Sequence, residues 1–158
     1  MIYARDTALL ATPVGTIRID GDEARIHRIA IESERMTPRR ADSPAVIAAA
    51  EQLKAWFEGA LTDFDLALAP ARTSRGQALR DGLIAVGYGS TMSYGGLARL
   101  LGSGARAIGQ LCARNPFPIV VPCHRVLASG ALGQYSAGDG VATKRWLLDH
   151  EIKHGGPK

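Results

Sequence analysis

The sequence predicts a two-part α/β protein: a small antiparallel sheet with one helix over residues 1–72, followed by a mostly helical part over 73–158. Three observations carry this reading. β-type segments separated by turns occupy the first 31 residues, an amphipathic helix pattern follows, and from residue 74 the pattern breaks into short helices punctuated by glycine. A length of 158 residues suits one domain, or two small ones sharing a core.

Segments 9–12 and 16–20 flank the turn Pro13-Val14-Gly15 and read as a hairpin, and 26–31 reads as a third strand. Residues 33–44 are polar, contain two prolines and read as a loop. Ser43 then caps a helix with Pro44 at its first position, running to Gly59. Val46, Ala50, Leu53 and Phe57 recur at helical spacing and form its expected apolar stripe. His27 and Trp56 read as a surface and a core residue. Residues 59–75 form a connector with room for one short strand at 64–68. Helices are expected at 74–86, at 94–100 with Ser93 as its cap, and at 104–113. The last two, joined by Leu100-Leu101-Gly102-Ser103, match a helix-turn-helix, a pattern shared with many αα-hairpins. Phe117 to Val121, fenced by three prolines, reads as a short buried strand or extended segment.

Composition narrows the function classes. Hydrophobic residues make up 46%, charged residues 22%, and the mean hydropathy is −0.01, which argues against extended disorder. No apolar run reaches the roughly 18 residues of a membrane helix, and no secretory signal is readable, so the expected compartment is the cytoplasm. Two cysteines make neither a disulfide framework nor a metal set. The net charge of +4 is unevenly spread, −1 over residues 1–75 and +5 over 76–158. The 57 residues between Asp81 and Asp139 hold no carboxylate, yet include Arg99, Arg106, Arg114 and Arg125. Such a block suits a polyanion, since phosphates repel carboxylates and attract guanidinium groups; a Gly/Ala-rich stretch that happens to lack acids is the plainer explanation.

Cys123 follows the apolar run 117–121 and directly precedes His124. A free thiol is mostly protonated at neutral pH, whereas the thiolate is the nucleophile, so activation needs a base or a cationic neighbour. His124 supplies that chemistry if a carboxylate orients its ring, and Asp149 and Glu151 are the candidates. The alternative is that Cys123 is a small buried hydrophobe. Cys112, between Leu111 and Ala113 with no adjacent histidine, reads as buried packing, and His150 and His154 read as solvated.

Pro122-Cys123-His124-Arg125-Val126 is preceded by Asn115-Pro116 and followed by Gly133-Gln134-Tyr135-Ser136 and Lys144-Arg145-Trp146-Leu147-Leu148-Asp149-His150-Glu151. Together these resemble the O6-alkylguanine-DNA alkyltransferase family. Tyr88-Gly89 and Ser93-Tyr94 with Leu97-Ala98 are similar to the stretch entering that family's helix-turn-helix, and Gly104-Ala105-Arg106-Ala107-Ile108-Gly109 resembles its recognition helix. The likeness spans roughly residues 85–151, and the first half fits only in size and order of elements.

The resemblance implies an RNase H-like N-terminal structural domain over 1–72 and a winged-helix-like DNA-binding and catalytic domain over 73–158. It implies a monomer acting on double-stranded DNA that contains O6-alkylguanine, with no cofactor, no metal and no membrane partner. The damaged base flips into a pocket and its alkyl group passes irreversibly to Cys123, because the alkyl carbon is out of reach while the base is stacked. By the same resemblance His124 takes the thiol proton through a water, Glu151 holds His124, Tyr94 donates a hydrogen bond to the base, and Asn115 fixes the turn behind the cysteine. Arg106 fills the gap left by the base, with Arg99, Arg114, Arg125 and Ser93 as further DNA contacts. Val126, Tyr135 and Ser136 line the pocket and its lid, which Lys144 supports.

The chain departs from the family pattern in four places. Arg75-Gly76-Gln77-Ala78-Leu79-Arg80 replaces a usual Phe-Gln pair and a Trp; Gln110-Leu111-Cys112 stands where smaller or Met-bearing residues are common; the stretch from Tyr135 to Lys144 is two residues longer than usual; and the first half lacks the cysteine of a zinc site found in some relatives. Three other readings compete: a non-catalytic alkylated-DNA binder that flags lesions, a helix-turn-helix regulator, and a cysteine hydrolase. The first has relatives with Trp where Cys123 stands, the second leaves the Pro-Cys-His-Arg-Val run without a purpose, and the third usually brings its histidine from elsewhere in the chain.

Overall fold

The computed structural model describes residues 4–155, and these divide into two compact units, Met1–Ala69 and Pro70–Lys158. In the first, β1 (Asp6–Thr12), β2 (Gly15–Gly21) and β3 (Ile26–Glu32) form an antiparallel sheet in the order β1-β2-β3. Each strand outgrows its expected span by one to three residues, because backbone pairing extends past the apolar residues that signal a strand. Register places Ala8 opposite Ile19, and Ile17 and Ile19 opposite Ile31 and Ile29, so the buried side chains share one face.

That face packs against α1 (Pro44–Phe57). The buried stripe of α1 is Val46, Ala49, Leu53 and Trp56, whereas Ala50 and Phe57 are half-buried. The apolar arc is therefore rotated from the expected one, bringing the larger Trp56 ring fully inside. Approach is close at Gly21, where a Cβ would sit 2.7 Å from the Arg25 carbonyl oxygen and 2.9 Å from the Val46 Cγ2. Ser43 does precede the helix, but its side chain makes no capping bond; its backbone N–H donates instead to Asp6 at 2.8 Å. Within the connector, the expected strand at 64–68 reduces to a single parallel bridge between Leu68 and Ile26. His27 is half-buried and hydrogen-bonds Asp22 at 2.7 Å.

The second unit contains α2 (Ser74–Ile84), β4 (Met92–Ser93), α3 (Tyr94–Leu100), α4 (Ala105–Ala113), a one-turn 3-10 helix (Cys123–Arg125), β5 (Val126–Leu127) and α5 (Val141–Lys153). Thr73 caps α2 and Ser93 caps α3, each hydroxyl accepting from a glycine N–H. β4 pairs with β5 in parallel, which ties the start of α3 to the segment leaving Cys123. Leu83, Leu97, Ile108, Phe117, Ile119, Val126 and Leu147 are fully buried in this unit. Residues 117–121 are buried as expected but form turns rather than a strand: Val121 N–H donates back to the Phe117 carbonyl at 2.8 Å, and Ile119 has φ 76°. Proline at 116, 118 and 122 removes the donors a strand ladder needs. Among the described residues no helix is long and apolar enough to cross a membrane.

Candidate active site and nucleic-acid interface

The turn before Cys123 is held by one side chain. Asn115 accepts the Phe117 N–H at 2.9 Å and donates its amide hydrogens to the Val121 carbonyl at 2.8 Å and to Cys123 Sγ at 3.1 Å. It is therefore both the clamp of the turn and a donor to the sulfur. A β-branched residue at positive φ costs free energy and persists only where surrounding contacts enforce it, and Ile119 sits inside this clamp.

The 3-10 turn then aims His124 and Arg125 inward, and both are buried. His124 Nε2 lies 2.7 Å from Glu151 Oε2. Arg125 donates to the same carboxylate from Nε at 3.0 and 3.1 Å and from Nη2 at 2.8 Å, and from Nη1 to the Val86 carbonyl. The Gly89 N–H donates to Glu151 Oε1 at 3.0 Å. Burial raises the Glu151 carboxyl, but the hydrogen bonds and charges of His124 and Arg125 outweigh it and hold it at about 2. Burial also lowers His124, against the pull of Glu151, so the imidazole is neutral at neutral pH and available as a base.

Cys123 lies at the floor of a cavity of about 530 Å³, lined also by Tyr94, Ala105, Arg106, Gly109, Cys112, Ala113, Ala128, Gly133, Gln134, Tyr135 and Ser136. Its thiol is drawn below the ordinary value by a hydrogen bond from Cys112, which with the Asn115 amide and the Lys144 charge outweighs burial. Lys144 has no exposed surface; its ammonium donates to the Val126 carbonyl at 2.6 Å and the Gln134 carbonyl at 3.2 Å, tethering the loop that carries Tyr135 to α5. Gly133, at φ 77°, lies flat against the Tyr94 ring, where a Cβ would come within 3.3 Å. The Tyr135 hydroxyl is buried without a hydrogen-bond partner among the described residues. A cavity with one activated sulfur, an adjacent neutral imidazole and a buried carboxylate suits nucleophilic attack followed by proton removal.

The structure brings Cys123, His124, Glu151, Asn115, Tyr94, Tyr135, Ser136 and Lys144 together around this cavity. Arg106 stands exposed at its rim, and Arg99, Arg114 and Ser93 are exposed on or beside α3 and α4. Several expectations need correction. Arg125 cannot contact DNA as expected, because it is 5% exposed and its guanidinium is committed to Glu151 and Val86. Val126 is fully buried and is not among the residues lining the cavity, and it contributes its carbonyl to Lys144. Asp149 is exposed on the opposite side of α5 from Glu151's partners, so Glu151 alone orients His124. His150 is buried and stacked on Trp146 at 4.9 Å instead of solvated.

Cys112 is buried as expected, but its place in the cavity lining was not read from the sequence. It lines the cavity from α4, on the helix face that also sends Ala105, Arg106 and Gly109 there. The helical spacing of 105, 109 and 112 carries that information, and the absence of a neighbouring histidine obscures it. Among the described residues no group of three or more His, Cys, Asp or Glu side chains is arranged to hold a metal ion.

Comparison with known proteins adds an independent line. Residues 76–153 match the model for the DNA-binding domain of 6-O-methylguanine DNA methyltransferase. The methylated-DNA–protein-cysteine methyltransferase of Mycobacterium bovis is 37% identical over 147 residues, covering 89% of this chain and 88% of that protein. The crystal structure of Mycobacterium tuberculosis O6-methylguanine methyltransferase superposes with a TM-score of 0.80 at 30% identity, covering 98% of this chain and 97% of that one. The structure of Mycobacterium tuberculosis OGT in complex with DNA gives a TM-score of 0.80 at 34% identity, with 94% of each chain covered.

Proposed function

The chain belongs to the 6-O-methylguanine DNA methyltransferase family, and on that premise we propose that Cys123 is the acceptor for an alkyl group taken from O6-alkylguanine in double-stranded DNA. Its activity is DNA repair by alkyl transfer to a protein cysteine. The Cys123 thiolate attacks the alkyl carbon, the sulfur–carbon bond forms as the carbon–O6 bond breaks, and the bonding pair leaves with the guanine. Tyr94 donates a hydrogen bond to the departing base, which lowers the charge it must carry. His124 receives the thiol proton through a water, and Glu151 stabilises the imidazolium that results. Removing the alkyl group from the neutral thioether would require the Cys123 thiolate to leave, and it is a poor leaving group from carbon, so each molecule acts once.

DNA approaches the face that carries α3 and α4, the two helices of a helix-turn-helix linked by residues 101–104. Arg99 and Arg114 meet phosphates, Ser93 lies beside them, and Arg106 enters the stack as the base moves into the cavity. Tyr135 and Ser136 close over the base, on a loop fastened by Lys144. The finer likenesses belong to the same reading: a winged-helix-like DNA-binding and catalytic domain over 73–158, and an RNase H-like structural domain over 1–72. A monomer suffices, since Asn115, Cys123, His124, Lys144 and Glu151 all come from one unit of one chain.

The observation that carries this reading is the Cys123 sulfur held at 3.1 Å by Asn115 at the floor of a base-sized cavity, beside the His124–Glu151 pair at 2.7 Å. Replacing Cys123 by serine tests it. Cys123→Ser keeps the shape and binds DNA but takes no methyl group from a methylated duplex, because a neutral hydroxyl is a far poorer nucleophile than a thiolate. Stoichiometric transfer by that variant would refute the proposal.

A further inference from the structure

Along the cavity, α4 presents small residues: Ala105, Gly109 and Ala113 recur there every fourth residue, with Arg106 exposed at the rim. One turn on from Arg106 comes Gln110, also exposed, and one turn further the exposed Arg114 closes the helix. At about 100° per residue, a step of four turns the direction by only about 40°, so these three long side chains form one ridge beside the small-residue face. Gln110 stands where smaller residues are common, so the family resemblance assigns it no role. Among the described residues its amide makes no hydrogen bond.

A base enters the cavity only if its duplex lies across this rim. With Arg106 in the vacated stack and Arg114 on a phosphate, Gln110 lies between them against the bases. Phosphate contacts fix the register of a protein on DNA and carry no sequence information, whereas contacts to base edges do. The small residues decide the groove. A fully decorated helix, about 10–12 Å across, fits the major groove, about 12 Å wide; with only Ala and Gly along one face, α4 can bring its backbone to the minor groove, about 6 Å wide, from which wedging side chains enter the stack. In that groove every base pair offers acceptors, and only G·C adds a donor, the guanine N2 amino group. A glutamine amide can answer both, since its oxygen accepts and its NH2 donates.

We infer that Gln110 is a specificity-determining residue: its amide oxygen accepts the guanine N2 amino group of a G·C pair beside the lesion, so alkyl transfer is fastest next to such a pair. The inference rests on the reading of Cys123 as alkyl acceptor for duplex DNA. The rise of about 6 Å from Arg106 to Gln110 spans about two base steps of about 3.4 Å, which places the pair that is read at the first or second neighbour of the lesion.

The test is single-turnover transfer from duplexes carrying one O6-methylguanine, with guanine, inosine or 7-deazaguanine paired to cytosine at each first and second neighbour, on either strand. Wild type, Gln110→Leu and Gln110→Ala are compared; both replacements suit an exposed helical position. Inosine removes the N2 amino group from the minor groove, and 7-deazaguanine changes the major groove instead. Inosine also weakens its own base pair, equally for every protein, so the quantity read is the guanine-to-inosine rate ratio of the wild type divided by that of each variant. Loss of one base-edge contact should make this quotient about tenfold at one neighbour. The corresponding quotient for 7-deazaguanine should stay within about twofold of unity, because its minor-groove edge is intact. A quotient near or below one at every position, or a loss that follows 7-deazaguanine rather than inosine, overturns the inference. A wild-type protein that takes no methyl group from any of these duplexes overturns the reading beneath it instead, so the two failures are distinguishable.

Discussion

Glu151 has no exposed surface and accepts from His124, Arg125 and the Gly89 N–H. Removing its charge leaves a buried guanidinium unpaired, so Glu151→Gln should cost about 3–5 kcal/mol at neutral pH by urea unfolding. The cost depends on pH with a definite sign. The hydrogen bonds and charges of His124 and Arg125 hold the Glu151 carboxyl at about 2 in the fold against an ordinary 4.5, so its contribution is complete above 4.5 and is lost as pH falls toward 2. About 3 kcal/mol of the difference between wild type and Glu151→Gln should vanish across that window. A difference that stays constant from pH 6 to 2 would contradict the pairing. Glu151 and Asn115 were legible as site residues because they accompany the cysteine in a specific pattern. Arg125 was not, because its partner lies 26 residues along the chain and only folding brings them together. A local reading sees a cation in an acid-free stretch and assigns it to phosphate.

Helices α3 and α4 expose Arg99, Arg106 and Arg114, while Arg125 sits inside. This difference predicts two kinds of variant. Arg99→Ala and Arg114→Ala should each flatten the salt dependence of DNA binding by about one unit of slope, whereas Arg125→Met should leave the slope unchanged and lower the melting temperature. Arg106 should behave in a third way. A plug for the vacated stack acts on the flipped state, so Arg106→Ala should slow transfer from duplex DNA far more than reaction with the free alkylated base, which needs no flipping. Equal slowing on both substrates would make Arg106 a support of the cavity. Periodicity located α1, α3 and α4 but misjudged the rotation of α1, because Ala49 and Ala50 are indistinguishable by hydrophobicity and the sheet decides which faces inward. Trp56→Ala should accordingly cost about 3–5 kcal/mol in thermal unfolding and Phe57→Ala clearly less. The turns at 117–121 escaped detection for another reason: a fully buried apolar run looks the same as a strand, and the Asn115 clamp that bends it is a tertiary feature.

The chain as a whole places its chemistry in one unit, Pro70–Lys158, which also holds the acid-free block and its excess of positive charge. That distribution was visible in the sequence and points to DNA, yet charge alone specifies no reaction. The reaction was legible only in the run from Pro122 to Val126 and its companions, while the first unit signalled its sheet and helix without any chemical role. The central claim is that one sulfur accepts one alkyl group from DNA. Mixing the protein with an excess of duplex carrying a single O6-methylguanine, then weighing the intact protein and its peptides, tests this most directly. One methyl group per molecule should appear, confined to the peptide containing Cys123, in a single burst that restores one guanine per protein. Repeated turnover, a methyl group on any other residue, or repair with no gain in protein mass would contradict it.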